Sequence, residues 1–187
     1  MALVATSVAM VSPSANGAAL GGRWSSPSYS YYKNLSGFGG YDTAVTNAGN
    51  SWGASTKFRV TLAPPTSASV SLTVSNYGAT DWLGLGTPGP TWYAGTYTYG
   101  SIQINAGWLN TRHFNCTTLG AATCQFPAES ESQRRCVVAH EMGHVAGLAH
   151  TGINTNRLMN EHHGSRCHTR GLVSPTVNDA ADIRAIY

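Results

Sequence analysis

The sequence is poor in charged residues, which make up 10% of its 187 residues, against about 25% in an average globular domain. Its eleven basic residues are scattered, and the longest basic run is Arg134-Arg135. The basic patch that is typical of nucleic-acid-binding proteins is therefore missing. The chain also lacks the composition of a disordered protein, since it has 42% hydrophobic and 10% aromatic residues. These absences exclude nucleic acid as an expected partner and favour a folded domain.

Long hydrophobic runs are missing as well. Residues 2–11 are small and mostly apolar, but this stretch is shorter than the about 20 apolar residues that span a bilayer. Small residues follow it, as in a secretory signal peptide, although no positive charge precedes it. We therefore expect residues 1–22 to be a signal-peptide-like or flexible segment and residues 23–187 to be one domain. The protein is expected to be secreted and to have no membrane partner.

Cysteine is scarce, and none of the four cysteines lies in a Cys-x-x-Cys pair. This argues against a four-thiolate zinc site. An even number of cysteines in an exported chain favours two disulfides over four free thiols. Four cysteines allow three connectivities. We favour the pairs Cys116–Cys124 and Cys136–Cys167.

The pattern of apolar residues predicts strands first and the clearest helices last, an order typical of an α+β fold. Alternating apolar and polar residues predict strands at 28–32, 58–62, 70–74 and 102–105. A helix is predicted over residues 40–52, where apolar residues recur at helical spacing. Residues 84–100 are rich in Gly, Pro, Thr and Tyr, which predicts a long surface loop.

Two helices near the C-terminus have clear start signals. The segment Ser130-Glu131-Ser132-Gln133 has the form of a capping box. Gly147 can end the helix that follows, because glycine readily adopts the left-handed conformation found after helix ends. The last helix is expected to begin near Ser174-Pro175, since serine can cap a helix and proline suits its first turn.

The most informative string covers residues 140–150 and reads HEMGHVAGLAH. His140 and His144 are four residues apart, so both imidazoles leave one face of a helix and can bind the same zinc ion. Glu141 is rotated around the helix and can reach a water on the metal. Gly147 can turn the chain, which allows His150 to complete a three-histidine site. Three protein ligands leave a fourth position for water, which is typical of a catalytic zinc.

This string resembles the extended zinc signature of the metzincin metallopeptidases at every defined position. The resemblance implies a methionine turn beneath the zinc, and Met159 in the segment 157–160 is the candidate. The small size, Asp179 and the ending Ile183…Ile186-Tyr187 are most similar to the matrixins. The implied fold class is α+β, a metzincin-like zincin fold with a small twisted mixed sheet, an active-site helix and a C-terminal helix.

The resemblance also implies a function, that of a secreted, monomeric zinc endopeptidase acting on protein or peptide substrates. One zinc ion would be held by the three histidines of the string, and Glu141 would be the general base. An extended substrate is expected to pair with an edge strand, which we assign to Ile102, Gln103, Ile104 and Asn105. Residues 160–172, which follow Met159, are expected to shape the S1′ pocket.

Two other interpretations accompany this one. The chain could be a secreted, non-catalytic module that binds sugar or protein through residues 84–100 on a degenerate peptidase fold. The intact Glu141 argues against it, because a binding module has no need of a base. Separately, His162, His163 and His168 could form a second metal site. Because they follow the methionine turn in a polar loop, we expect them to be surface histidines.

Overall fold

The computed structural model describes residues 19–78, 80, 82–91, 93–109, 113–114, 124–125 and 129–187. Its strands are β1 (Arg23–Trp24), β2 (Ser28–Asn34), β3 (Arg59–Leu62), β4 (Val70–Ser75), β5 (Gly84–Gly89), β6 (Thr96–Tyr97), β7 (Tyr99–Asn105), β8 (His113–Phe114) and β9 (Cys124–Gln125). Its α-helices are α1 (Asp42–Ser55), α2 (Ala106–Leu109), α3 (Glu131–Val145) and α4 (Val177–Ile186). The four predicted strands and the predicted helix over 40–52 are confirmed as β2, β3, β4, β7 and α1.

A five-stranded mixed sheet forms the centre of the fold, in the order β3-β2-β4-β7-β5. The first four of these strands are mutually parallel, and β5 runs antiparallel to β7. Helices α1 and α3 pack against each other and against the sheet. The mixed sheet with packed helices agrees with the coarse prediction. No helix in the described ranges is long and apolar enough to cross a bilayer.

Residues 84–100 are not a surface loop, and this prediction is wrong. Residues 84–89, 96–97 and 99–100 form β5, β6 and the start of β7. A Cβ atom at Gly84 would lie 2.5 Å from the Cγ of Glu141, and one at Gly86 would lie 2.3 Å from the Glu141 carbonyl oxygen. The glycines therefore allow an edge strand to lie directly on α3, which is a different use of glycine from that in turns.

The assignment of residues 102–105 to an edge strand is also wrong. Strand β7 is paired with β4 on one side and with β5 on the other. Its residues Ile102, Ile104 and Asn105 are buried, and Gln103 is half-buried. The edges of the sheet are β3 and β5, and only β5 of these two lies against α3 among the described contacts.

Both C-terminal helices begin with a capping box. In α3 the predicted box is confirmed, with the Ser130 hydroxyl accepting from the Gln133 N–H. In α4 the cap is Thr176, not Ser174, and the prediction is wrong by two residues. The Thr176 hydroxyl accepts from the Asp179 N–H, and the Asp179 carboxylate accepts from the Thr176 N–H. This reciprocal pair satisfies two N–H groups at once, which a lone serine before a proline does not.

Four aromatic side chains hold α3 and the turn after it in place. They donate hydrogen bonds to backbone carbonyls that follow one another along the helix. The bonds run from Trp52 to Ala139 (3.0 Å), from Tyr29 to Met142 (3.1 Å), from Trp24 to Val145 (2.7 Å) and from Tyr187 to Ala146 (2.9 Å). The donors come from α1, β2, β1 and the chain end, so α3 is fixed by elements on several sides.

The N-terminal residues that are described also touch this region. Residues 1–18 of the expected signal-like segment lie outside the described residues. The Leu20 N–H donates to the Gly147 carbonyl at 2.8 Å, and Ala19 forms a β-bridge with Leu148. Residues 19–22 therefore pack against the end of the segment 140–150.

A disulfide joins Cys136 of α3 to Cys167, with 31 residues of sequence separation. This pairing was predicted and is confirmed. Cys167 lies in a π-helical segment, Gly164–Thr169, which packs against α3. The other predicted pair, Cys116–Cys124, lies outside the residues whose side chains are described.

The Cys136→Ser/Cys167→Ser variant should be less stable by about 3–4 kcal/mol, because opening the loop restores entropy to the unfolded chain. For a protein of this size we expect the midpoint of thermal unfolding to fall by about 10 °C, measured by calorimetry. The matched control is Cys116→Ser/Cys124→Ser, which removes the predicted second disulfide; because that bond would close a shorter loop, its loss should cost less. A control loss as large as that of the first variant would contradict the expectation.

Candidate metal centre

Helix α3 and the turn after it bring three histidines together. His140 and His144 lie on the same face of α3, one turn apart. Gly147 adopts φ of 102°, as predicted, and redirects the chain so that His150 returns to this face. The three Nε2 atoms are separated by 3.1 Å (140–144), 3.1 Å (140–150) and 3.0 Å (144–150). The structure thus contains a histidine triad with converging nitrogen atoms.

The hydrogen bonds of the triad determine which nitrogen atoms face the centre. His140 Nδ1 lies 2.8 Å from the Leu158 carbonyl oxygen, and His144 Nδ1 lies 2.8 Å from that of Leu148. A carbonyl oxygen only accepts, so both Nδ1 atoms carry a proton and both Nε2 atoms present lone pairs. Lone pairs 3.1 Å apart repel one another unless a cation lies between them.

The spacing of the nitrogen atoms fits zinc. Two ligands of a tetrahedral zinc at 2.0–2.1 Å lie about 3.3–3.4 Å apart, close to the 3.0–3.1 Å separations of the triad. Imidazole nitrogen is also a ligand that zinc prefers. The residues present therefore fit a zinc ion bound by three histidines, with a further coordination position open.

Burial keeps the triad in the neutral form that binds metals. It lowers the pKa of His140 well below its usual value and that of His144 to about 4. His150 is the most exposed of the three, but partial burial of its ring, and then the neighbouring His144, also lower its pKa to about 4. At neutral pH all three imidazoles are uncharged and their Nε2 lone pairs are available.

Glu141 directly follows His140 in α3, and its side chain contacts the edge strand β5. Its carboxylate is buried, and Oε2 accepts a hydrogen bond of 2.8 Å from the Gly86 N–H of β5. Burial raises the pKa of this carboxyl to about 7, opposed by the Arg166 guanidinium and the Gly86 N–H. A carboxyl with a pKa near neutrality is suited to taking up and releasing a proton.

Met159 packs against α3 at Gly143. Gly143 makes room for it, because a Cβ atom there would lie 2.4 Å from the Met159 sulfur. The turn that carries Met159 is held by Asp179 of α4, whose carboxylate accepts from the N–H groups of Leu158 (2.8 Å) and Met159 (3.2 Å). The same turn supplies the carbonyl that orients His140. The C-terminal helix α4 is therefore connected to the histidine triad through two contacts, from Asp179 to the turn and from the turn to His140.

Two buried charged residues were not predicted from the sequence. Arg166 lies in the segment expected to shape the S1′ pocket, and its Nη1 donates to the Asn160 carbonyl at 2.7 Å. Burial lowers the pKa of Arg166 to about 10. Glu129, just before α3, is buried against His163. Neither residue has a spacing relative to the histidine string that could have identified it.

The prediction that the later histidines are all surface residues is wrong. His163 is buried, and His162 and His168 are half-buried. His163 and His168 converge with Glu129, while His162 does not join them. Their partner Glu129 lies more than 30 positions earlier in the chain, so the polar composition of the loop gave no indication that these histidines are buried.

No protein-family model matches this chain, and no curated protein matches it. The function is therefore inferred from the residues and geometry of the site.

Proposed function

We propose that this protein is a secreted, zinc-dependent endopeptidase of the metzincin type, most similar to the matrixins. The observation that carries the proposal is the convergence of three Nε2 atoms, two of them on rings oriented by backbone carbonyls, next to the helix position of the buried Glu141. A structural zinc site has four protein ligands, whereas three ligands with an adjacent carboxylate are typical of a hydrolytic site.

In this proposal His140, His144 and His150 would hold the zinc ion. A bound zinc ion would supply Lewis-acid chemistry, which lowers the pKa of water and stabilises negative charge on the substrate carbonyl oxygen. Glu141 accepts one proton from the attacking water and passes it to the nitrogen of the leaving amine, so the carboxylate is regenerated at the end of the cycle. Its pKa of about 7 suits both transfers.

Strand β5 is the element best placed to receive the substrate. It is the sheet edge that lies on α3. The Gly86 N–H points away from β7 and contacts Glu141, so the outer side of β5 lies beside the proposed base. An extended peptide pairing with this edge would bring its backbone close to Glu141 without requiring a particular sequence. This replaces β7 as the proposed substrate strand.

The experiment that tests the proposal is a peptidase assay on the purified chain, using an unstructured protein and a library of quenched fluorescent peptides. We expect cleavage that is abolished by a zinc chelator and restored by adding Zn²⁺. Cleavage that survives complete removal of zinc would refute a zinc-dependent mechanism. Absence of cleavage in the zinc-loaded protein would favour the non-catalytic module instead. That alternative has lost one support, since residues 84–100 do not form the loop that it invoked.

A further inference from the structure

A second set of ligand atoms converges away from the histidine triad. Glu129 Oε1 lies 3.2 Å from His163 Nε2 and 3.2 Å from His168 Nε2, and the two nitrogen atoms are 3.1 Å apart. These three distances are almost those of the triad on α3. Glu129 is 7% exposed and His163 is 6% exposed, so two of the three groups are removed from water.

Hydrogen bonds within the cluster account for only part of this geometry. Each Nε2 atom carries either one proton or one lone pair. If both donate to Glu129, the two N–H groups lie side by side with no attraction between them. If one is unprotonated, its lone pair faces a carboxylate. A cation at the centre attracts all three atoms at once. In the described part of the chain, the buried second oxygen of Glu129 also has no hydrogen-bond partner.

We propose that Glu129, His163 and His168 form a second metal site, for a divalent ion of the zinc type. One carboxylate oxygen and two imidazole nitrogens are a donor set that zinc accepts. Calcium and magnesium prefer oxygen ligands, so two imidazoles argue against them. His168 also lines a surface cavity of about 420 Å³, which leaves space for water to complete the coordination.

The neighbouring Gln133 determines how His168 can bind. Gln133 Nε2 lies 2.7 Å from His168 Nδ1, and Gln133 Oε1 accepts from the Ser130 N–H at 2.8 Å. A ligand role for His168 Nε2 places the proton on Nδ1, so the Gln133 amide must turn its oxygen toward the ring. The two amide orientations occupy the same volume. The cost is the capping bond that Gln133 Oε1 accepts from the Ser130 N–H.

The position of the cluster indicates a structural role. Glu129 directly precedes the cap of α3, His163 directly precedes the π-helical segment that Cys167 anchors to α3, and His168 lies within that segment. A metal here would be a second cross-link between the start of α3 and the segment that follows the Met159 turn. Unlike the disulfide, it would be removed by a chelator.

The test is zinc stoichiometry by equilibrium dialysis and atomic absorption, with zinc alone as the probe. The wild-type chain should bind two zinc ions, and one per chain would overturn the proposal. A His144→Ala/His150→Ala chain, which lacks the first site, should retain one. Loss of all zinc from that folded chain would also overturn the proposal. Neither readout depends on peptidase activity. The chain could therefore bind this second ion without being a peptidase, or be a peptidase without binding it, and the measurements distinguish the two cases.

Further substitutions in the His144→Ala/His150→Ala chain assign the remaining ion. Adding Glu129→Gln and His168→Asn should remove it, whereas the matched control His162→Asn should leave it, because His162 lies outside the cluster. Zinc retained after the first change would overturn the assignment. If circular dichroism shows that this variant does not fold, the wild-type stoichiometry decides the question.

The Gln133→Glu variant should raise the zinc affinity of the second site by about 10-fold, since it offers His168 Nδ1–H an anionic acceptor.

Discussion

The Glu141→Gln variant should lose peptidase activity by a factor of about 10² to 10⁴, the usual contribution of a general base. Glutamine has the size of glutamate, and its amide oxygen can still accept the Gly86 N–H that holds the carboxylate at 2.8 Å. It cannot accept a proton from water. The fold and the three histidine ligands are unchanged, so the zinc content should stay at the wild-type value. The measurements are kcat/KM on a quenched peptide and zinc per chain.

Glu131→Gln is the matched control for this variant. It makes the same chemical change in the same helix, at an exposed residue in the first turn. Its activity should remain within a few-fold of wild type. If Glu141→Gln behaved like this control, another group would have to serve as the base, and the proposed mechanism would be wrong.

The His150→Ala variant should lose essentially all activity together with one zinc ion. Two ligands and water do not fix a tetrahedral site, so the loss of zinc affinity should exceed the 10- to 100-fold that removal of an outer-shell partner costs. His150 suits this test because it is exposed, whereas His140 is buried in the core. Its substitution should leave the protein folded, which circular dichroism can verify.

The comparison for this variant is His162→Ala, a half-buried histidine that is not part of the triad. It should keep both its activity and its zinc. Full activity with undiminished zinc in His150→Ala would show that a different third ligand is used. Comparing the two variants thus distinguishes the effect of removing a zinc ligand from the effect of removing a histidine outside the triad.

Local sequence signals predicted the parts of the molecule that depend on neighbours along the chain. The capping box at Ser130, the turn at Gly147 and the same-face pair His140 and His144 are properties of one helix and its ends. Each is determined by residues within about four positions, where spacing translates directly into geometry. These features were predicted at the correct residues.

The errors arose where a distant partner decides the structure. Gly84 and Gly86 are typical of a loop until α3 is placed against them, and then their lack of a side chain allows the close approach. Their spacing of two, within a strand, was a signal of such packing. Glu129 had no comparable signal, because its partners lie beyond α3 in the chain. The order of the strands could not be predicted for the same reason, since β7 is an inner strand only because β5 pairs with it.

The aromatic hydrogen bonds to α3 have a consequence for the thermodynamics of metal binding. In small zinc domains the ligands are disordered without metal, and binding energy is consumed in folding the chain. Here Trp24, Trp52 and Tyr29 fix the helix from the surrounding core, and carbonyls orient two of the rings. The ligands are thus preorganised, and little conformational entropy remains to be lost when an ion arrives. The zinc affinity of this centre should therefore depend on coordination chemistry, because the conformational entropy of the ligand residues is already lost when the protein folds.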